Sequence, residues 1–186
     1  GEAGGGSDLP PDPDLGRDTV YGGSGNDTVE LSHHSFGIVV RGDAGDDVIA
    51  ATGWSSWWPL GSGAIVEAGQ IDGGLGHDVI AGVFSQSTVQ GGEGNDWFAM
   101  AVDGSNIQGG NGADEIHVRG FGSVLNGGDG DDLISVSLSE IDVGHGDGNS
   151  IRGGAGADTF AFGSLIGTER VEDFELGIDL VRIAAD

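Results

Sequence analysis

Gly91-Gly92-Glu93-Gly94-Asn95-Asp96-Trp97-Phe98-Ala99 is followed by Gly109-Gly110-Asn111-Gly112-Ala113-Asp114-Glu115-Ile116-His117, and that by Gly127-Gly128-Asp129-Gly130-Asp131-Asp132-Leu133-Ile134-Ser135. One phrase is written three times at an interval of 18 residues: a Gly-Gly-x-Gly-x-Asp turn feeding a short apolar strand. Four further copies flank it, starting at Gly22 (Gly-Gly-Ser-Gly-Asn-Asp), Gly42 (Gly-Asp-Ala-Gly-Asp-Asp), Gly73 (Gly-Gly-Leu-Gly-His-Asp) and Gly153 (Gly-Gly-Ala-Gly-Ala-Asp). The seven starts are separated by 20, 31, 18, 18, 18 and 26 residues, each 18 plus an insertion or none. Such a period marks an array whose units bury their apolar faces only against one another.

Within each unit the aspartate is followed by alternating apolar residues, the period of two expected of a strand with one buried face. Val29, Ile49, Ile80, Phe98, Ile116, Ile134 and Phe160 make one column, and Leu31, Met100, Val118, Val136 and Phe162 repeat it two residues on. The strand leading into the next glycine pair supplies an opposing column: Val20, Val40, Ile71, Val89, Ile107, Leu125 and Ile151. Two short strands and two turns per coil describe an all-β fold, a parallel β-roll (β-helix) of about seven 18-residue coils. The roll is expected over 15–166, with inserted loops at 52–63 and 138–149. Residues 1–14 are Gly-rich and acidic, carry Pro10, Pro11 and Pro13, and read as a disordered linker. Residues 167–186 change texture and are expected to cap the roll, because an open sheet edge leaves backbone groups unpaired.

Composition narrows the partners. The 186 residues include 40 glycines without a Gly-X-Y triplet, which excludes collagen and leaves a turn-dense repeat. Acidic residues number 31 against 6 basic ones, all arginine, for a net charge of −25. With no basic face, nucleic acid is excluded and an anionic membrane surface disfavoured; the counterions must be cations. There is no cysteine, hence no disulfide or thiolate site. No apolar run approaches the roughly 20 residues of a membrane span. The chain begins with Gly1 rather than Met and shows no signal peptide, which reads as a fragment or a processed chain.

The turn itself is rich in oxygen donors. Glycines at its first, second and fourth positions permit backbone angles closed to other residues, so carbonyl oxygens can converge, and the aspartate at the sixth adds a charged one. Ca²⁺ takes about six to eight oxygens at roughly 2.3–2.6 Å, whereas Mg²⁺ resists a water-poor cage and Zn²⁺ wants His or Cys. The Gly42 turn departs from the pattern, with Asp43 at its second position. The turns on the other side, Phe84-Ser85-Gln86-Ser87, Val102-Asp103-Gly104-Ser105 and Gly120-Phe121-Gly122-Ser123, are of a different kind. Ions are therefore expected along one edge.

The nonapeptide Gly-Gly-x-Gly-x-Asp-x-U-x, with U a large apolar residue, resembles the RTX (repeats-in-toxin), hemolysin-type calcium-binding β-roll. The closing stretch Val171-Glu172-Asp173-Phe174-Glu175-Leu176-Gly177-Ile178-Asp179-Leu180-Val181-Arg182-Ile183 resembles the end of many such domains, and the likeness spans Leu15 to Ile183. In that family an ion sits between successive turns, sharing their aspartates and glycine-region carbonyls. The resemblance implies the aspartate ligands Asp27, Asp47, Asp78, Asp96, Asp114, Asp132 and Asp158. It implies turn oxygens from Gly22, Ser24 and Gly25; from Gly73, Gly74, Leu75 and Gly76; and from Gly91, Gly92, Glu93 and Gly94. It implies the same from Gly109, Gly110, Asn111 and Gly112, from Gly127, Gly128, Asp129 and Gly130, and from Gly153, Gly154, Ala155 and Gly156. Seven turns leave six gaps, hence up to about six Ca²⁺ on this edge. The family, which includes serralysin-type proteases and the R-modules of mannuronan epimerases, further implies a secreted, extracellular or cell-surface bacterial protein. Its closing segment would belong with a type I secretion signal.

Other functions fit less well. Asp129, Asp131 and Glu140 fall at positions one, three and twelve of an EF-hand loop, but Ile134 stands where its glycine must be. No Gly-x-Ser-x-Gly or His-Glu-x-x-His occurs, nor any Lys or clustered Arg, His and Tyr for uronate chemistry, so no catalytic residue is expected. An ice-binding roll needs a regular threonine row, and the seventh motif position holds Thr28, Val48, Val79, Trp97, Glu115, Leu133 and Thr159. Trp54, Trp57 and Trp58 in the first large insertion suit stacking on sugar rings, docking of a neighbouring domain, or cover for the roll itself. The alternative function is thus a carbohydrate-binding accessory module for extracellular polysaccharide. Asp142, His145 and Asp147 in the second insertion read as a solvated bulge or an extra metal site.

Overall fold

The alternation along the chain becomes a stack of parallel strands. The computed structural model describes residues 18–51, 64–137, 148–163 and 168–184, which contain strands, turns and bends and no helix. One sheet has eight strands, in stacking order Thr19–Ser24, Val39–Ala44, Gln70–Leu75, Thr88–Glu93, Asn106–Asn111, Val124–Asp129, Ser150–Ala155 and Arg170–Val171. The other stacks Thr28–Leu31, Val48–Ala51, Val79–Ser85, Trp97–Asp103, Glu115–Phe121, Leu133–Ser137, Thr159–Phe162 and Leu180–Ile183, with Ser35–Phe36 and Ile65–Glu67 beside them. Each coil gives one strand to each sheet, so the backbone pairing that an isolated coil lacks is supplied by its neighbours above and below.

Register follows the repeat. Ile107 lies beside Val89 on one side and Leu125 on the other, and Phe98 lies between Ile80 and Ile116. Insertions lengthen the connection and leave the partners unchanged: Val40 pairs with Ile71, and Leu125 with Ile151. How this is done is visible in the second coil. Val48–Ala51 and Ile65–Glu67 pair with the first and second halves of Val79–Ser85, so the insertion is spliced into the middle of one strand whose halves still stack as one. The first coil is split in the same way, its Ser35–Phe36 resting on Val66 and Glu67.

The apolar columns meet between the sheets. Val40, Ile71, Val89, Ile107, Leu125 and Ile151 from one side and Ile49, Ile80, Phe98, Ile116, Ile134 and Phe160 from the other are at most 1% exposed. Val20 and Val29 of the first coil are half-buried against this core. Leu31, Met100, Val118, Val136 and Phe162 extend it. In the Gly73 coil this third column is filled by Gly82, which faces Ala51 so closely that a β-carbon would collide with the alanine methyl.

The segment anticipated as a cap is itself a coil. Arg170–Val171 pairs with Ser150 and Ile151, and Leu180–Ile183 with Thr159–Phe162, bringing the stack to eight coils. Val181 and Ile183 stand in register with Phe160 and Phe162 yet remain 42% and 69% exposed, with no described strand stacked beyond them. The linker expected at 1–14 lies outside the described residues, as do the inserted loops apart from Gly148 and Asn149. No helix among the described residues is long and apolar enough to cross a membrane.

Candidate metal centre

All seven motif turns line the edge where the chain passes from the eight-stranded sheet to its partner. Two positions show what the turn demands. Gly110 has φ +125°, and a β-carbon there would run into the Gly92 carbonyl oxygen one coil earlier, so both conformation and spacing require glycine. Asp43 does without one. It holds φ 73°, in the left-handed region that aspartate is among the few side chains to tolerate. Its strand keeps register on both sides, and its carbonyl lies against Gly74 as Gly92's does against Gly110.

The aspartates are buried and half-satisfied. Asp47, Asp78, Asp96, Asp114, Asp132 and Asp158 are 1–2% exposed, and Asp27 in the first coil is half-buried. Oδ1 of Asp47, Asp78, Asp96, Asp114 and Asp132 each accepts the backbone N–H of the preceding turn's aspartate at 2.8 Å; Oδ1 of Asp158 does so at 3.0 Å. Oδ2 of all seven, Asp27 included, is buried with no hydrogen-bond partner. Each Oδ2 lies against the first glycine of its own motif. A β-carbon on Gly91 would strike Asp96 Oδ2 and stand 2.6 Å from the Gly109 carbonyl oxygen of the next coil. The same two oxygens crowd Gly22, Gly42, Gly73, Gly109 and Gly127.

A buried carboxylate oxygen without a donor is costly, and a cation would relieve it. The donors on offer are one carboxylate oxygen from a turn and backbone carbonyls around it, a set that fits a hard, oxygen-seeking ion such as Ca²⁺. No three His, Cys, Asp or Glu side chains gather among the described residues, so the edge offers no zinc-type cluster. Third-position carbonyls of Ala44, Leu75, Glu93, Asn111, Asp129 and Ala155 already accept the N–H of the preceding coil's fourth-position glycine at 2.7–2.9 Å, leaving one lone pair each. The side chains of Glu93 and Asn111 are exposed and bond one another.

Burial raises the carboxyls of Asp47, Asp78, Asp96, Asp114, Asp132 and Asp158 above the usual carboxylate range, to about 7 at Asp96 and Asp132. The N–H bond to Oδ1 opposes this rise, and in all but Asp114 nearby carboxylates add to it.

The opposite edge has the same ladder in neutral form. Ser87 Oγ accepts the Gly69 N–H at 3.1 Å, Ser105 Oγ that of Ser87 at 3.2 Å, and Ser123 Oγ that of Ser105 at 3.0 Å. Asn149 Oδ1 then accepts from Ser123, and Glu169 Oε2 from Asn149. The hydroxyls donate onward: Ser87 to the Val66 and Ser85 carbonyls, Ser105 to those of Phe84 and Asp103, Ser123 to that of Phe121. A hydroxyl both accepts and donates, so each serine is complete without an ion. Only at the ladder's end is an oxygen stranded, Glu169 Oε1.

Two site residues escape the sequence pattern. Asp179 Oδ1 accepts the Asp158 N–H at 3.1 Å, carrying the aspartate ladder into the eighth coil, while its Oδ2 accepts the Glu175 N–H at 2.7 Å. Asp173 accepts the N–H groups of Gly153 and Gly154 at 3.0 and 3.1 Å. The signal for the first is Gly177-Ile178-Asp179, which repeats the fourth to sixth motif positions, with Gly177 at φ 89° and a strand following. The missing glycine pair conceals it. Trp54, Trp57 and Trp58, and Asp142, His145 and Asp147, lie outside the described residues.

The profile of the RTX calcium-binding nonapeptide repeat matches the chain in four copies, at residues 14–31, 72–99, 108–137 and 143–164, just over half its length. The Gly42 turn falls between these matches, although the stack includes it without a break. No curated protein and no solved structure matches the chain.

The turn geometry sets opposite signs for two substitutions. Gly110→Ala should cost at least about 1–3 kcal/mol, whereas Asp43→Gly should gain up to about 1 kcal/mol; urea midpoints in calcium would measure both. The raised carboxyls give a pH prediction. They hold protons more tightly in the stack than in the unfolded chain, so their contribution favours the metal-free stack in acid and is lost as pH rises through about 7. In excess chelator, β-content by circular dichroism should therefore increase as pH falls from about 8 to about 5.

Proposed function

The chain belongs to the RTX calcium-binding nonapeptide repeat family, and we propose that it is a calcium-dependent folding module of a secreted bacterial protein, exported unfolded by a type I route and stacked into its roll outside the cell. The observation that carries this is the row of seven buried Oδ2 atoms with no partner. Bound between turns, Ca²⁺ supplies the positive charge these atoms lack. The chain's own residues do the rest. Asp27, Asp47, Asp78, Asp96, Asp114 and Asp132 each offer Oδ2 to the gap between their own turn and the next. From Asp47 onward, Oδ1, held by the previous coil's N–H, fixes the carboxylate's direction. The next turn's first glycine brings its carbonyl to the same place. Each ion site would thereby join two coils, and closing it adds a coil to the stack.

Magnitudes favour coupling of binding to folding. Strands in a sheet lie about 4.8 Å apart, so the aspartates stack near that distance. Neighbouring unit charges there repel by about 1 kcal/mol in water and several times more near a protein surface. Seven such carboxylates within a chain of net charge −25 strain the metal-free roll. Binding energy then becomes folding energy, as in other metal-dependent domains. Extracellular calcium modules bind at about 10⁻⁴–10⁻³ M. Affinity of that order leaves the chain open in a low-calcium cytosol and closes it outside, which suits passage through a secretion channel.

Far-UV circular dichroism during a calcium titration, begun in chelator and repeated with magnesium, tests the proposal. A cooperative coil-to-β transition is expected with Ca²⁺ and not with Mg²⁺. A β spectrum already complete in excess chelator at neutral pH would refute metal-coupled folding.

A further inference from the structure

Seven unpartnered Oδ2 atoms do not match six gaps between seven turns. The direction of each carboxylate shows where the odd one belongs. Oδ1 faces the preceding coil, whose N–H it accepts, and Oδ2 faces forward, beside the first glycine of its own turn and the carbonyl arriving from the next. Asp27 to Asp132 thus account for the six gaps. Asp158 faces forward as well: a β-carbon on Gly153 would strike its Oδ2, as in every other turn. The closing coil that follows, residues 170–183, carries no glycine pair to meet it. Gly127 is approached by the Gly153 carbonyl, whereas the atoms nearest a β-carbon on Gly153 all belong to Asp158. Beside this glycine stands the Asp173 carboxylate of the closing coil, bonded to the N–H groups of Gly153 and Gly154.

Building on the calcium reading of the other turns, we propose a seventh divalent-cation site at the end of the stack, between the Gly153 turn and the closing coil, formed by Asp158 Oδ2 and the Asp173 carboxylate. Asp158 is 1% exposed and its Oδ2 is unpartnered, so the site has a buried anion aimed into it. Asp173 is anchored by two backbone N–H bonds next to the same glycine, and each of its oxygens retains lone-pair capacity beyond the one N–H it accepts. Asp179, the third nearby carboxylate, accepts the Asp158 N–H and the Glu175 N–H and continues the aspartate ladder into the closing coil. Its role is to fix the chain so that Asp173 reaches Gly153. A side-chain carboxylate here takes the part that a turn carbonyl plays in the interior gaps.

Calcium stoichiometry by native mass spectrometry tests the site, comparing the wild-type chain with Asp173→Asn and, as an interior control, Asp114→Asn. Asp173→Asn is expected to bind one ion fewer than wild type while retaining the others. If wild type binds calcium and Asp173→Asn binds the same number with unchanged affinity, the terminal site is overturned and the interior sites stand. If wild type binds none, the calcium reading itself fails, and this site with it. Should Asp173→Asn not regain the wild-type dichroism in calcium, anomalous scattering from wild-type crystals grown in calcium decides. A peak beside Gly153 flanked by Asp158 and Asp173 upholds the site, and peaks confined to the other turns overturn it.

Discussion

Everything along the motif edge depends on how a buried carboxylate divides its two oxygens. Oδ1 accepts a backbone N–H from the coil before, which holds the side chain inside the turn and ties two coils together. Oδ2 is then committed to a place where only carbonyl oxygen arrives. An ionised aspartate can accept and cannot donate, so the carbonyl that arrives cannot complete it. The stack is built so that its most regular feature is incomplete without a cation. The glycines serve the same end, because any β-carbon at the first motif position would occupy the space toward which Oδ2 and the next carbonyl converge.

The opposite edge shows that the architecture itself does not require the ion. Ser87, Ser105 and Ser123 accept the same coil-to-coil N–H bond that the aspartates accept, and they are as deeply buried. Their hydroxyls then donate to carbonyls within reach, closing the account with neutral groups. One edge is therefore closed by neutral hydrogen bonds alone, and the other keeps a row of unpartnered carboxylate oxygens. A roll of this kind can make its order conditional on calcium while its core, from Val40 to Phe160, is an ordinary apolar ladder.

Tolerance of insertions follows from the same layering. A coil touches only its neighbours, so what must be conserved in space is the register of the two strands and the two turns. The split of one strand into Val48–Ala51 and Ile65–Glu67 against the unbroken Val79–Ser85 shows how little the stack notices extra chain. The closing coil is the other case of economy: Gly177-Ile178-Asp179 keeps half a motif, enough to continue the ladder, while Asp173 replaces the glycine pair with a carboxylate.

The sequence alone determined the repeat and, through it, most of the fold. An 18-residue interval with period-two alternation admits one arrangement in which Ile80, Phe98, Ile116 and Ile134 stack, and their burial follows from it. It also placed the seven aspartates on one edge, because equal spacing puts equal positions above one another. Only the tertiary structure decided which oxygen of each aspartate is spent and which is left over, since the N–H that takes Oδ1 comes from a residue 18 to 31 positions away. It decided likewise that the serines form a second ladder, and that the final segment is a coil. Those facts rest on hydrogen bonds between layers, and such bonds exist only once the layers are stacked; a linear pattern records which residues recur, and not which of their atoms remain unpaired.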